Sequence, residues 1–189
     1  MPPEGLARVS MDFEVRRIRP GEGLRLRALR LHALADAPLA FGSTLAREEA
    51  FANHVWHARA ADGAGGDERA TFIAERDGRW IGLATGLADN PDGPGPMLVG
   101  MFVDPAERGR GVGRALVEAV TAWARAREAG CLSLWVGSAN NPALALYAAC
   151  GFRPTGETQP LAHTPVLTEL RMVRDLRQGK DVHGTVEVY

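Results

Sequence analysis

The chain has 189 residues and a mass of 20.3 kDa, a size suited to one domain with a sizeable core. Its 46% hydrophobic and 24% charged residues are ordinary for a globular protein, and no apolar run approaches the roughly 18 residues needed to span a bilayer. With 22 Lys plus Arg against 23 Asp plus Glu, the formal charge of −1 leaves no global basic field to hold nucleic acid.

The start, Met1-Pro2-Pro3-Glu4-Gly5, has neither the basic region nor the apolar stretch of a secretory signal, so the expected location is the cytoplasm. Every cation but Lys180 is arginine, a bias that fits a GC-rich genome as well as anion contacts. Cys131 and Cys150 each sit among apolar neighbours, where a buried, reduced thiol is expected.

Residues 1–12 read as a loose leader, 13–174 as a single domain and 175–189 as a tail. A strand is expected over Phe13 to Ile18, where apolar and charged residues alternate, and a helix over Leu24 to Ala35, where leucines recur at helical spacing. A second helix is expected from Ala46 to Ala60, capped by Ser43 or Thr44, followed by a Gly- and Asp-rich loop from Ala61 to Glu68. Thr71 to Arg76 and Trp80 to Ala88 flank Asp77-Gly78, a strong hairpin signal, and Met97 to Val103 makes the third strand of a meander.

A helix from Gly113 to Ala129 and a short apolar strand, Leu132 to Val136, complete a βαβ unit whose two strands should be parallel. Asn140-Asn141-Pro142 opens a further helix that Gly151 ends. Phe152 to Thr155 and Val166 to Arg174 read as closing strands separated by a loop containing His163, and Thr185 to Val188 is the one strand-like run in the tail.

The densest chemical signal is Arg108-Gly109-Arg110-Gly111-Val112-Gly113, a glycine-rich loop between a strand and a helix, which turns backbone N–H groups and a positive helix end toward an anion. Two nucleotide loops fail. A P-loop needs Gly-Lys followed by Ser or Thr, and no lysine is near; the dinucleotide fingerprint needs a third glycine where Leu116 stands, and a Rossmann loop does not follow a meander.

Val103-Asp104-Pro105, then Arg108-x-x-Gly111-x-Gly113, then Asn140 with Ala143, Leu146-Tyr147 and Gly151-Phe152, resembles the acetyl-CoA-binding core of the GNAT superfamily of N-acetyltransferases. The match is close over residues 97–156 and the element order extends it over almost the whole chain. It implies an α/β fold in an α+β arrangement: a mixed, mostly antiparallel sheet of about six to seven strands, about four flanking helices, and one parallel strand pair that forms the cofactor cleft.

It further implies that the backbone of Met101, Phe102 and Val103 pairs with the pantetheine arm of acetyl-CoA. The loop N–H groups of Arg108, Gly109, Arg110, Gly111, Val112, Gly113 and Arg114 would hold the pyrophosphate. Asn140 would contact the cofactor arm, and Tyr147, near the sulfur, would act as the general acid that protonates the leaving thiolate. No metal is implied.

Attack of an amine on a thioester also needs a neutral amine, yet the strands Leu98 to Val103 and Leu132 to Val136 contain no ionisable residue to serve as base. Glu48, Glu49, His54 and His163 are the candidates left, beside a water chain or an amine that arrives neutral. Phe41, Phe51, Trp56 and Trp135 are candidates for an apolar part of the acceptor pocket, although core packing is the more frequent role of such residues.

The reading that follows is N-acetyl transfer from acetyl-CoA to a small-molecule amine. A protein N-terminus or lysine as acceptor, and a non-catalytic acyl-CoA-binding or regulatory module, are its competitors. A homodimer is the expected assembly if there is one.

Overall fold

The computed structural model describes residues 12–177. Residues 1–11 of the expected leader and the strand-like run Thr185 to Val188 lie outside the described residues. Seven strands form one sheet: β1 (Glu14–Arg17), β2 (Arg69–Arg76), β3 (Arg79–Leu87), β4 (Met97–Val103), β5 (Cys131–Gly137), β6 (Arg153–Leu161) and β7 (Thr164–Asp175). Their spatial order is β1-β2-β3-β4-β5-β7-β6, antiparallel throughout except for the β4–β5 pair. Five helices accompany them: α1 (Gly23–Asp36), α2 (Leu45–Glu49), α3 (Asn53–Gly65), α4 (Val112–Ala126) and α5 (Asn141–Ala149).

The sheet has an apolar core on each face, as expected where helices cover both sides. On one face α4 lays Val112, Leu116, Val117, Val120 and Ala124 across β2, β3 and β4, and α5 adds Tyr147. On the other, Leu26, Leu29, Ala33 and Leu34 of α1 and Trp56 and Ala60 of α3 close over Ile73, Leu83 and Phe102. Trp123 of α4 is only half-buried at the edge of that core.

The expected Ala46–Ala60 helix is two helices, α2 and α3, broken at Ala50–Ala52, and α3 continues through residues expected to be loop. No proline or glycine marks the break. It allows Glu48 to turn inward while Trp56 and Ala60 reach the sheet on a different axis. Gly63 stays helical because α3 crosses β2 so closely that a Cβ there would stand 2.7 Å from Thr71 Oγ1, so the local cost of a helical glycine is outweighed by packing.

β6 and β7 are longer than expected, and His163 sits in the tight turn between them, not in a long loop. Pro154, Gly156 and Pro160 argue against a strand locally. β6 is the sheet edge, however, where a residue without an N–H is tolerated. The expected tail begins inside the fold: Asp175 ends β7, and Leu176 is buried, donating its N–H to Gly130 O at 3.0 Å.

Cys150 is a buried free thiol as expected. Cys131 is not buried: it is partly exposed, with Sγ 3.1 Å from Pro94 O, because its strand begins at the rim of the sheet. No described helix is long and apolar enough to cross a membrane.

Leu116, fully buried in the second turn of α4, anchors that helix to the sheet. Leu116→Ala is expected to lower stability by about 3 kcal/mol through lost transfer energy and the cavity left behind, read as a shift of the urea midpoint at unchanged slope.

Candidate active site

β4 and β5 touch at one register pair, Met97 with Ser133, and then separate. The closed end is stapled by Ser133 N–H donating to Pro96 O at 3.0 Å, and by Asn90 Nδ2, 3.0 Å from both Ser133 Oγ and Gly95 O. Each strand is held on its other edge, β4 by β3 and β5 by β7, so both keep their places as they diverge.

Opposite Ala84 of β3, β4 carries one extra residue, Gly100 with Met101. This bulge has Gly100 at φ +63° and breaks the regular pairing where the cleft opens.

At the mouth of the cleft, Asp104 accepts from Ala106 N and caps a short 3-10 turn, Pro105–Glu107. The chain then passes through Gly109 at φ +77° and Gly111 at φ +84° into α4. A Cβ on Gly111 would meet nothing within 4 Å, so this glycine serves the left-handed backbone and not a close approach. Among the described residues, the N–H groups of 109–111 donate to no backbone carbonyl, and the first N–H groups of α4 have no intrahelical acceptor. The loop is therefore a row of unspent donors at the positive end of a 15-residue helix.

Its arginine side chains are exposed. Arg108 turns back to Asp36 of α1 and to Val103 O, and Arg110 lies 4.0 Å from Glu107. Leu146 of α5, with Met101 and Val103 of β4, surrounds Gly113 within 3.6 Å of where its Cβ would be, which brings the loop, β4 and α5 together. Asn140 lies at the start of α5, its Oδ1 accepting from Ala143 N at 3.2 Å as the helix N-cap.

Tyr147 packs edge-on against Phe152 at 5.8 Å and is 6% exposed. Burial, with a smaller contribution from Cys150, pushes its hydroxyl well above the usual phenol range, so Tyr147 stays protonated at any pH near neutral.

On the opposite face of the sheet lies a cavity of about 490 Å³, floored by β2, β3 and β4 and walled by α1, α2 and α3. Phe41, Trp56 and Trp135 line it, as expected; Phe51 does not, but packs on Trp56. Of the candidate bases only Glu48 lines it. Glu49 and His54 are exposed, and His163 Nε2 is 3.0 Å from Pro38 O, tying the β6–β7 turn to the loop after α1.

Glu48 is 3% exposed, with Arg30 Nη2 at 2.9 Å and Arg59 Nη1 at 3.2 Å. Burial alone would raise its carboxyl, but the hydrogen bonds and charge of Arg30, with Ser43 and Arg59, hold it below the ordinary carboxylate value. A carboxylate so engaged is a poor proton acceptor. Its role is to fix two arginines in the cavity wall. Neither these nor Arg69 beside them was singled out from the sequence. One signal existed: Arg30 lies four residues from both Leu26 and Leu34, inside the apolar stripe of α1.

A parallel strand pair thus diverges beneath a donor-rich loop, and comparison with known proteins identifies the family. The chain belongs to the Acetyltransferase (GNAT) family, whose model matches residues 31–152. It is 33% identical over 147 residues to a mycothiol acetyltransferase of Thermobispora bispora, covering 69% of this chain and 47% of that protein. It is 39% identical over 100 residues to an aminoglycoside N(6')-acetyltransferase type 1 of Stenotrophomonas maltophilia, covering 47% of this chain and 62% of that protein.

The chain thus spans about half the length of the mycothiol acetyltransferases it matches. In fold it resembles yncA of Salmonella typhimurium, a putative acetyltransferase solved with acetyl-CoA, at a TM-score of 0.72 and 18% identity over 94% of this chain and 99% of that one.

Glu48→Gln is expected to cost about 3 kcal/mol at pH 7, because it leaves two largely buried guanidinium groups without their counter-charge. The folded carboxyl titrates below the unfolded one, so its contribution is full above the unfolded value and disappears as pH falls through the folded value. Urea midpoints of wild type and variant should therefore converge as pH is lowered from about 5 toward 3.

Proposed function

We propose that this chain transfers an acetyl group from acetyl-CoA to a primary amine of a small molecule by direct attack. The observation that carries the reading is the cleft itself: β4 and β5 part after one pair, and the donors of 109–111 lie at its mouth. Relatives named for mycothiol and aminoglycosides support a small-molecule acceptor over a protein.

In this reading the N–H groups of Gly109, Arg110 and Gly111 and of the first turn of α4 through Arg114 hold the pyrophosphate, whereas the Arg108 N–H already donates to Pro105 O at 3.4 Å. The edge of Met101, Phe102 and Val103 left unpaired by β5 pairs with the pantetheine arm as an added strand, the Arg108 side chain giving up Val103 O as it does so, and a β4 N–H at the bulge donates to the thioester carbonyl as negative charge develops there. Asn140 is spent on capping α5 through Oδ1, which leaves its Nδ2 for the arm. The acceptor reaches the same carbonyl from the α1–α3 cavity.

The new C–N bond forms as the C–S bond breaks. The amine gives up its proton to solvent, and Tyr147 supplies the proton that the departing thiolate takes. The only cavity carboxylate on α1–α3 is saturated by arginine, so no side chain there is assigned as base. The amine enters neutral, or loses its proton to water.

Three measurements bear on this. Gly111→Val forces a β-branched residue into the left-handed region and should raise the acetyl-CoA dissociation constant at least tenfold, about 1.4 kcal/mol, by calorimetry. Tyr147→Phe should lower kcat about a hundredfold with little change in KM for acetyl-CoA; an unchanged kcat would remove Tyr147 as the acid.

In wild type, kcat/KM should rise with pH along the acceptor amine's own titration and show no descending limb up to about pH 10. A phenol whose value is raised stays protonated through that range. A bell with its alkaline side near pH 8 would contradict this assignment.

A further inference from the structure

The α1–α3 cavity has a chemical bias in its wall. Arg30 stands on α1, Arg59 on α3 and Arg69 at the start of β2, and all three line the cavity. Glu48 supplies one negative charge to this group. Its two oxygens are occupied by Arg30 and Arg59. Arg69 forms no ion pair within 4.0 Å among the described residues; burial, with Arg59 adding like-charge repulsion, pulls its pKa down, and the attraction of Asp62 offsets only part of this. On the α1, α3 and β2 side of the cavity three guanidinium groups face one lining carboxylate, Glu48, which leaves that side of the partly desolvated wall positive even with Asp62 near Arg69.

Two further donors have no acceptor. Arg30 Nη1 and Trp56 Nε1 are both out of contact with solvent and without a hydrogen-bond partner. Neither group can accept a hydrogen bond, so what each lacks is an acceptor atom. Arg30 Nη1 lies 3.9 Å from where a Cβ on Gly100 would stand, which puts this donor beside the β4 bulge.

Two of the three arginines are also held still. The Arg30 guanidinium lies over Phe41 at 4.5 Å, and that of Arg59 over Phe51 at 4.8 Å and Trp56 at 4.9 Å. A charge fixed by a carboxylate and an aromatic ring loses little freedom on binding, the condition under which a charged contact adds affinity.

The other side of the cavity has the opposite sign. Asp92, before β4, accepts from Trp135 Nε1 at 2.9 Å, and Glu169 of β7 accepts from Gln159 Nε2 at 3.0 Å. The sheet order places β3, β4 and β5 between Arg69 on β2 and Glu169 on β7. The wall is therefore cationic toward α1, α3 and β2 and anionic toward β5 and β7.

We infer that the acceptor is an amine that also carries a carboxylate, an amino-acid-like zwitterion. Its carboxylate is received by the Arg30, Arg59 and Arg69 cluster, and its ammonium is drawn toward Asp92 and Glu169 before deprotonation. A planar carboxylate matches the paired N–H groups of a guanidinium. This inference rests on the acetyl-transfer reading for the identity of the amine, but the anion site stands on the cavity alone.

The test compares each of a series of α- and ω-amino acids with its carboxamide, which keeps shape and removes charge, and with the matching aminoalkylphosphonate. Release of CoA thiol by the full chain gives kcat/KM. The best acids are expected to exceed their carboxamides at least tenfold, and Arg69→Gln should bring that ratio close to one, with Arg69→Lys between. Carboxamides equal to acids, or an acid-to-amide ratio that Arg69→Gln leaves unmoved, would overturn the proposal. Phosphonates preferred over carboxylates would overturn the carboxylate assignment.

Binding is read separately, by calorimetry of N-acetylated amino acids and their amides in the presence of CoA. If no amine is turned over but the acids still bind tenfold more tightly than the amides, acetyl transfer fails and the anion site stands. If amines are turned over with no preference for acids in either measurement, the anion site fails and acetyl transfer stands.

Discussion

The structure depends on one constraint: β4 and β5 are parallel neighbours that pair once and then part. A sheet ordinarily closes such a gap, because unpaired backbone donors and acceptors in a protein interior are costly. Here each strand is secured from its far side, β4 by β3 and β5 by the long β7, while Ser133 and Asn90 pin the closed end. The bulge at Gly100 and Met101 then turns β4 away. The edges left facing one another can be satisfied by an extended ligand, and α4 begins with its free donors at the same opening.

That opening divides the molecule into two working faces. On the α4 and α5 side, packing is apolar and close, and it places Tyr147 where its proton is held by burial. On the α1, α2 and α3 side, the sheet floors a cavity whose charges are fixed by one another: Glu48 is kept ionised by Arg30 and Arg59, and it holds both in place. Removing a carboxylate from the list of bases and adding arginines to the list of binding groups is one physical result. The groups that make Glu48 a weak base are the ones left with donors to offer.

Much of this was legible in the residues. The meander, the βαβ unit and the glycine-rich loop each rest on local rules: Asp77-Gly78 for a hairpin, Pro142 and Gly151 for the ends of α5, and the spacing of glycines before α4. Other features were not legible because their cause is remote. The break between α2 and α3 has no local signal, Gly63 is helical because β2 is close, and β6 extends through two prolines because it lies at an edge. Glu48 reads in the sequence only as one of four candidate bases and becomes the centre of an ion cluster once α1 and α3 lie against it.

The sequence by itself determined the order of elements, the anion-binding loop and the family resemblance, since these follow from contiguous patterns of hydrophobicity, glycine and proline. Only the tertiary structure decided where β4 and β5 part, which charges share the cavity and which donors lack acceptors. Those depend on groups brought together from Arg30 to Glu169, and the electrostatics of a buried site are set by neighbours in space, not by neighbours in the chain.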